Sequence, residues 1–122
     1  MKLRIKGNSL RIRLTKSEVN KLGDTGYLEE KTTFLNNQLV YALQKSDDTT
    51  ELSATFENNT ITILVPARFV KEWSGNNVVG LETKMPVSNN DSLFLLIEKD
   101  FVCLDETTED QSDNYVNPNK SC

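Results

Sequence analysis

The sequence predicts a mainly β fold of the β-rich α+β class, arranged as a small barrel of two β-hairpin–helix–β units with an acidic C-terminal tail. Three observations support this prediction. Apolar and polar residues alternate with a period of two through several short segments, as they do in half-buried strands. Two short segments with helix-start signals each follow a predicted hairpin. The two halves, about residues 1–45 and 51–104, repeat the same order of hydrophobic positions and turns, and residues 105–122 form the tail.

The first predicted element is a β-hairpin. Residues 2–6 and 10–14 alternate strictly between apolar and charged side chains, and Gly7 and Asn8 between them tolerate the positive backbone angles of a tight turn. The apolar side chains of this hairpin share one face, which we expect to be buried. The opposite face carries five basic residues, which are Lys2, Arg4, Lys6, Arg11 and Arg13.

A short helix follows each predicted hairpin. Thr15 and Glu18 have the spacing of a capping box and predict a helix that ends at Gly23. In the second half, Pro66 suits the first turn of a helix over residues 67–73. The remaining predicted strands cover residues 27–34, 39–44, 52–56, 60–65, 78–85 and 93–97.

The repeat is found at an offset of 51 residues. Leu10 then aligns with Ile61 and Leu22 with Trp73, so hydrophobic positions and helix starts coincide although chemical identity is low. The same offset aligns Lys31 and Thr32 with residues 82–83. We interpret residues 1–104 as one domain that contains a duplicated unit. The alternative is a chance agreement between two stretches of similar pattern.

Residues 7–16, with the sequence GNSLRIRLTK, resemble the opening of AbrB- and MazE-type swapped-hairpin domains, the DNA-binding halves of many antitoxins and transition-state regulators. Residues 59–67 are similar to the same element and have a proline in its usual place. The resemblance implies that two copies within one chain close a pseudo-symmetric barrel. It also implies that Lys6, Arg11 and Arg13 are the basic hairpin residues, whereas the second copy has Thr62 and Leu64 at the arginine positions.

The C-terminal part of the chain carries a second resemblance. Residues 98–104 and 109–115 look like the end of an uncharacterised family of small bacterial proteins, and this similarity extends over the whole chain. It implies membership of a family of unknown function and no particular activity.

Composition limits the classes of function. The content of 37% hydrophobic and 26% charged residues is typical of one globular domain. Histidine is absent, and the only cysteines are Cys103 and Cys122, which excludes histidine-dependent catalysis, thiolate zinc sites and a disulfide framework. No glycine-rich phosphate loop is present. We therefore expect a non-enzymatic protein without a cofactor, and the absence of a signal peptide and of a long apolar segment predicts a cytoplasmic location away from membranes.

Charge is distributed unevenly along the chain. The net charge is −4, but residues 1–16 contain six basic residues and no acid, whereas residues 98–113 contain seven acids. A basic strand face can bind phosphate groups, so we regard Arg4, Lys6, Arg11 and Arg13 as candidate contacts for nucleic acid or another anionic partner. The alternative is a charged face that only keeps the hairpin soluble and its edge unpaired.

The acidic tail supports a second hypothesis, a module that binds a divalent metal ion or a protein partner. Carboxylates are the oxygen ligands that hard cations prefer, and the candidate ligands are Asp105, Glu109, Asp110 and Asp113. The segment lacks the residue order of an EF-hand, and a tail that only increases solubility is the alternative. Tyr115 and Pro118 are unusual in such a tail and indicate that part of it packs on the domain or on a partner.

Overall fold

The structure is a computed structural model, and it describes residues 1–101 and 112–115. The described residues form eight strands and two helices. In chain order these are β1 (Lys2–Ile5), β2 (Ser9–Leu14), α1 (Lys16–Thr25), β3 (Tyr27–Thr33), β4 (Gln38–Ser46), β5 (Ser53–Glu57), β6 (Thr60–Pro66), α2 (Ala67–Trp73), β7 (Gly80–Pro86) and β8 (Ser92–Lys99). The fold is mainly β, as the alternating pattern predicts. Neither of these helices has the length and apolar character needed to cross a membrane.

The strands form two four-stranded sheets. The first sheet has the strand order β1-β2-β8-β7, and the second sheet has the order β3-β4-β6-β5. The central strands of each sheet are parallel, β2 with β8 and β4 with β6. All the other pairs in these sheets are antiparallel hairpins. Each sheet therefore combines one hairpin from each half of the chain, and neither sheet can form from one half alone.

The two parallel pairs have equivalent registers. Leu10 lies opposite Leu95 in the first sheet, and Ile61, which the repeat aligns with Leu10, lies opposite Tyr41 in the second sheet. The outer strands β1 and β5 pair with β2 and β6 in matching registers as well. Corresponding strands of the two halves are thus paired in the same way.

One detail of the predicted repeat is wrong, because residues 31–32 do not correspond to residues 82–83. Lys31 pairs with Val40 in the second sheet, and the equivalent pair of the first sheet is Lys84 with Phe94. The chain takes two more residues from the start of α2 to β7 than from the start of α1 to β3. Because of this difference in length, the offset of 51 residues, which aligns the first hairpin and the helix start of each half, does not align β3 with β7.

The predicted end of the first helix is also wrong. Helix α1 continues through Gly23 and ends before Gly26, whose φ of 76° is the left-handed conformation that glycine adopts easily. An internal glycine weakens a helix by only about 1 kcal/mol, so packing can retain it. The second glycine, and not the first, therefore ends the helix.

The strands do not close into the predicted barrel. At one pair of sheet edges, the Ala54 amide of β5 donates to the Met85 sulfur of β7 at 3.3 Å instead of to a backbone carbonyl. At the other pair of edges, the N-terminal amine of Met1 contacts the Glu30 side chain of β3 at 3.1 Å. Each of these contacts has a side chain as one partner and is not a backbone ladder bond, so the described strands form two separate hydrogen-bonded ladders.

One hydrophobic core is shared by both sheets and both helices. Trp73 is fully buried and donates from Nε1 to the Val78 carbonyl at 2.9 Å, so it is a core residue. The predicted capping box is also present, with Thr15 and Glu18 bonded reciprocally at the start of α1. Other fully buried side chains include Ile12, Leu14, Leu22, Leu43, Ile63, Val65, Leu95 and Ile97. Each sheet thus packs one face against the core, and its other face points away from the core.

Candidate nucleic-acid interface on the first sheet

The basic residues of the first hairpin lie on the outer face of the first sheet. Ile12 and Leu14 of β2 are fully buried, so the alternation of the strand directs Arg11 and Arg13 away from the core. Arg4 lies opposite Arg11 on the neighbouring strand and shares its face. The structure therefore brings the predicted contact residues to one side of the molecule, and these are Arg4, Lys6, Arg11 and Arg13.

Like charges oppose one another across this hairpin. Arg4 is paired with Arg11, and Lys2 is paired with Arg13. Directly opposed side chains in an antiparallel pair have Cβ atoms about 4.5–5.5 Å apart, and like charges at these positions are destabilising. Asp100 reduces the cost at Lys2, because its Oδ2 lies 3.1 Å from the lysine Nζ. The hairpin therefore depends on acids from outside its own two strands.

Glu98 of β8 is the acid that serves the two arginines of β2. Its Oε1 lies 2.8 Å from Arg13 Nε and 3.6 Å from Arg11 Nε. One carboxylate is thus shared by two guanidinium groups. Within residues 1–101 and 112–115, neither Arg4 nor Lys6 has a carboxylate partner. Positive charge remains in excess at this end of the hairpin.

The cations in excess line an open pocket on the outer face. The pocket has a volume of about 170 Å³. This is several times the roughly 30 Å³ that one water molecule occupies in the liquid. No acidic side chain lines it, and concentrated positive charge in a concave surface favours an anion. The lining residues are Arg4, Lys6, Ser9, Arg11 and Phe94.

Phe94 is a candidate that the sequence analysis missed. It is half-buried in β8, with Ser9 opposite it on one neighbouring strand and Lys84 opposite it on the other. Its alternation with the buried Leu95 was a local signal that its side chain points away from the core. The parallel pairing of β2 with β8, which sets the ring beside the basic hairpin, is a contact between distant parts of the chain that alternation does not reveal.

The outer face of the second sheet has a different character. Thr62 and Leu64 stand at the positions that the repeat aligns with Arg11 and Arg13. Lys31 on the same sheet is neutralised by Glu29, with 3.6 Å between Nζ and Oε2. The two sheets therefore share a topology and differ in the charge of their outer faces.

Lys99, at the end of β8, lies in a closed cluster on the core side. The residue is only 4% exposed, and its Nζ donates to the Asn76 carbonyl at 2.7 Å. The ammonium lies 5.0 Å from the centre of the Tyr115 ring and 5.9 Å from that of Trp73. Burial lowers the pKa of the Lys99 ammonium. The cluster joins residues 112–115 and the segment before β7 to the end of β8, and it serves the fold.

Residues 112–115 lie against the start of α1. The Lys16 amide donates to the Asp113 carbonyl at 3.1 Å. A hydrogen bond from the Thr15 side chain, and another from the Ser17 side chain, hold the pKa of the Asp113 carboxyl below its usual value. A negative charge at a helix N-terminus is favourable because the free amides there are partly positive. The carboxylate of Asp113 is therefore engaged within the protein.

The predicted metal site stays a prediction. Asp105, Glu109 and Asp110 lie outside the described residues, as does Cys103. Asp113 is bonded to α1, as described above. In the part of the chain that the structure describes, no group of three or more histidine, cysteine, aspartate or glutamate side chains is placed to hold a metal ion.

Tyr41 belongs to a polar cluster between β1 and the second sheet. Its hydroxyl donates to Glu30 Oε2 at 3.0 Å. Burial raises the pKa of Tyr41 to about 12, with contributions from the hydrogen bond and charge of Glu30 and from the charge of Glu18. Both carboxylates also bind the N-terminal amine of Met1. These groups satisfy one another and hold the start of β1 in place.

The comparisons with known proteins identify a family. The family model described as "Family of unknown function (DUF7009)" matches residues 1–119, so the chain belongs to this family. No curated protein and no solved structure matches the chain. This match confirms the expectation that the chain belongs to an uncharacterised family. The family description assigns no activity to the basic face.

Proposed function

We propose that this member of the DUF7009 family is a non-enzymatic binding module that holds a nucleic acid on the outer face of its first sheet. The observation that carries the proposal is the opposed pair of Arg4 and Arg11. Arg4 has no carboxylate partner among the described residues, and the partner of Arg11, Glu98, is shared with a second arginine. Phosphate groups match the charge and the forked donors of arginine.

A bound phosphate offsets the repulsion within the hairpin. For illustration, two like charges about 5 Å apart repel by about 1 kcal/mol in water and by about 3 kcal/mol at the effective dielectric typical of a protein surface. An anion between Arg4 and Arg11 adds two attractions that outweigh the repulsion between them. A nucleic acid gains further because neutralised phosphates release their bound counterions, which makes the affinity strongly dependent on salt.

Glu98 limits the affinity of this face. Its carboxylate competes with phosphate for Arg11 and Arg13, since both contacts lie within 3.6 Å. Replacement of Glu98 by glutamine removes the competing charge and keeps the size of the side chain. We therefore expect Glu98→Gln to tighten nucleic-acid binding severalfold. If the arginines serve only as ion-pair partners of Glu98 within the protein, the variant should gain no affinity for nucleic acid.

The architecture favours a partner that contacts one sheet. We propose that the two halves are copies of one AbrB-like hairpin–helix unit that pair within a single chain. This proposal is supported by the sheets, each of which combines one hairpin from each half, and by the equivalent registers of the two parallel strand pairs. Only the first copy carries the arginines. A symmetric operator site is therefore not the expected partner, and the expected location is the cytoplasm of a bacterium.

Fluorescence anisotropy with labelled DNA and RNA oligonucleotides at low salt tests the proposal. We expect binding by the wild-type protein, and we expect the double variant Arg4→Gln with Arg11→Gln to lose at least about tenfold in affinity. The slope of log affinity against log salt concentration should flatten by about 1.5, because two phosphate contacts are lost. Circular dichroism and thermal melting establish that the variant is folded.

A matched control separates this face from overall charge. Lys21→Gln with Lys71→Gln removes the same two charges from exposed positions on α1 and α2. We expect this control to retain at least half of the wild-type affinity. An equal loss in both double variants would refute the proposal, and so would the absence of wild-type binding at low salt.

A further inference from the structure

Phe94 stands on the outer face of the first sheet at the edge of the basic pocket. Its strand, β8, is central in the sheet, with β2 on one side and β7 on the other. The ring is half-buried and lines the pocket together with Arg4 and Arg11. An aromatic ring on the solvent side of a central strand is a surface on which an unpaired base can stack.

We infer that this face selects unpaired nucleotides, with a base stacked on Phe94 and the adjacent phosphates held by the arginines. The inference rests on the proposed function and specifies the form of nucleic acid that the site takes. It applies to single-stranded DNA and RNA alike, because the stacking surface and the phosphates are common to both.

The geometry of the sheet places the two kinds of contact side by side. Phe94 is opposite Ser9, whereas Arg11 lies two residues further along β2 and has Arg4 opposite it on β1. Neighbouring strands are about 4.8 Å apart and each residue advances about 3.3 Å along a strand, so a nucleotide that lies diagonally across the strands has its phosphate near Arg11 and Arg4 while its base reaches Phe94. Lys84, which is opposite Phe94 on β7, supplies a further cation on the far side of the ring.

A duplex cannot use the same arrangement. Its bases are stacked on one another and paired, so their faces are not available to a side chain on a sheet surface. Only its phosphates can contact the face, and phosphate contacts alone do not involve Phe94. Stacking of an unpaired base on an aromatic side chain tolerates any base, because every base has a π face. The expected preference is therefore for strandedness and not for sequence.

The experiment compares labelled 12-nucleotide single strands of DNA and RNA with a 12-base-pair duplex, using wild type, Phe94→Leu and Phe94→Tyr. We expect the single strands to bind more tightly than the duplex. Phe94→Leu should weaken single-strand binding roughly 5- to 100-fold and duplex binding by a much smaller factor, whereas Phe94→Tyr should retain the wild-type preference. The matched control is Phe56→Leu on β5 of the second sheet, where the ring is 67% exposed, and it should have no effect.

A second measurement reports stacking directly. The chain has a single tryptophan, Trp73, which is fully buried and provides a constant background. In the variant Phe94→Trp, added oligo(dT) or oligo(dA) should quench the new fluorescence, and the duplex should not. Quenching by the single strands, together with the loss in Phe94→Leu, supports the inference.

Two outcomes overturn it in distinguishable ways. Equal affinity for single strand and duplex with no effect of Phe94→Leu, while Arg4→Gln with Arg11→Gln weakens both, refutes the stacking role and leaves the proposed function in place. No binding of any oligonucleotide at low salt refutes the proposed function and this inference together.

Discussion

Replacing Gly80 with alanine tests the packing that fixes one flank of the first sheet. A Cβ at this position would lie 2.1 Å from the Ile97 carbonyl oxygen and 2.9 Å from the Cα of Glu98. Both atoms belong to the backbone of β8 and cannot rotate away. Strand β7 must therefore move by ~1 Å to restore ordinary contact distances. The same movement disturbs the neighbouring bond from the Lys99 amide to the Val79 carbonyl, which is 2.8 Å long.

These effects give an expected loss of stability of about 2–4 kcal/mol. Overpacking of this kind costs about 1–3 kcal/mol, and a weakened backbone hydrogen bond adds about 1 kcal/mol. An unfolding entropy of about 2.1 cal/mol/K per residue, applied to 122 residues, means that each kcal/mol lowers the Tm by about 4 °C. The Tm of Gly80→Ala should therefore fall by about 8–16 °C.

Thermal melting and urea titration measure the loss, with Gly75→Ala as the matched control. The nearest atom to a Cβ at Gly75 is the Glu72 carbonyl oxygen at 4.0 Å, which is an ordinary contact. We expect the control to change the free energy of unfolding by less than about 0.5 kcal/mol. A Gly80→Ala protein that melts within about 2 °C of the wild type would refute the argument from close approach.

Two further predictions concern ionisable groups. Asp113→Asn should release residues 112–115 from α1 at neutral pH, seen as faster amide hydrogen exchange there. Folding lowers the pKa of Asp113, so the stability that its carboxylate contributes is present above pH 3.8 and is lost as the pH falls through the folded-state pKa. The stability of the variant should therefore depend less on pH in that range. Unchanged hydrogen exchange in Asp113→Asn would contradict the role of Asp113. Folding raises the pKa of Tyr41 from 10.0 to about 12, so its contribution to stability is complete below pH 10 and lost as the pH rises through about 12. In a titration followed by ultraviolet absorbance, the phenol of Tyr41 should ionise near pH 12, and Tyr41→Phe should remove this transition. A midpoint near pH 10 for that phenol would show that the contact with Glu30 is absent.

The two halves of the chain are similar in architecture and differ in the charge that they present to solvent. Both halves supply a hairpin, a helix and a second hairpin, and the two parallel strand pairs have equivalent registers. The outer face of the first sheet carries opposed cations, whereas threonine and leucine occupy the corresponding positions of the second sheet. Buried positions must remain apolar in both halves, but outward positions are free to diverge. The basic face can therefore belong to one half without a change of fold.

Local sequence determined the elements of this protein. Strict alternation identified the first hairpin, because each strand has one buried and one exposed face. The spacing of Thr15 and Glu18 identified the start of α1, because both side chains bond the free amides of that turn. The outward direction of Arg11 and Arg13 follows from the same alternation. These features depend on residues a few positions apart, so they can be predicted from the sequence alone.

Tertiary structure alone decided how those elements meet. The parallel pairing of β2 with β8 brings Glu98 and Phe94 to the basic hairpin from the last strand of the fold. The strands form two open sheets in place of a closed barrel, and at one pair of edges the Ala54 amide meets the Met85 sulfur instead of a backbone carbonyl. Pairing between distant strands is selected by the fit of the whole core, to which each strand contributes only a part. The sequence therefore identified half of the candidate site, the cations, and the packing of the core supplied the carboxylate and the aromatic ring beside them.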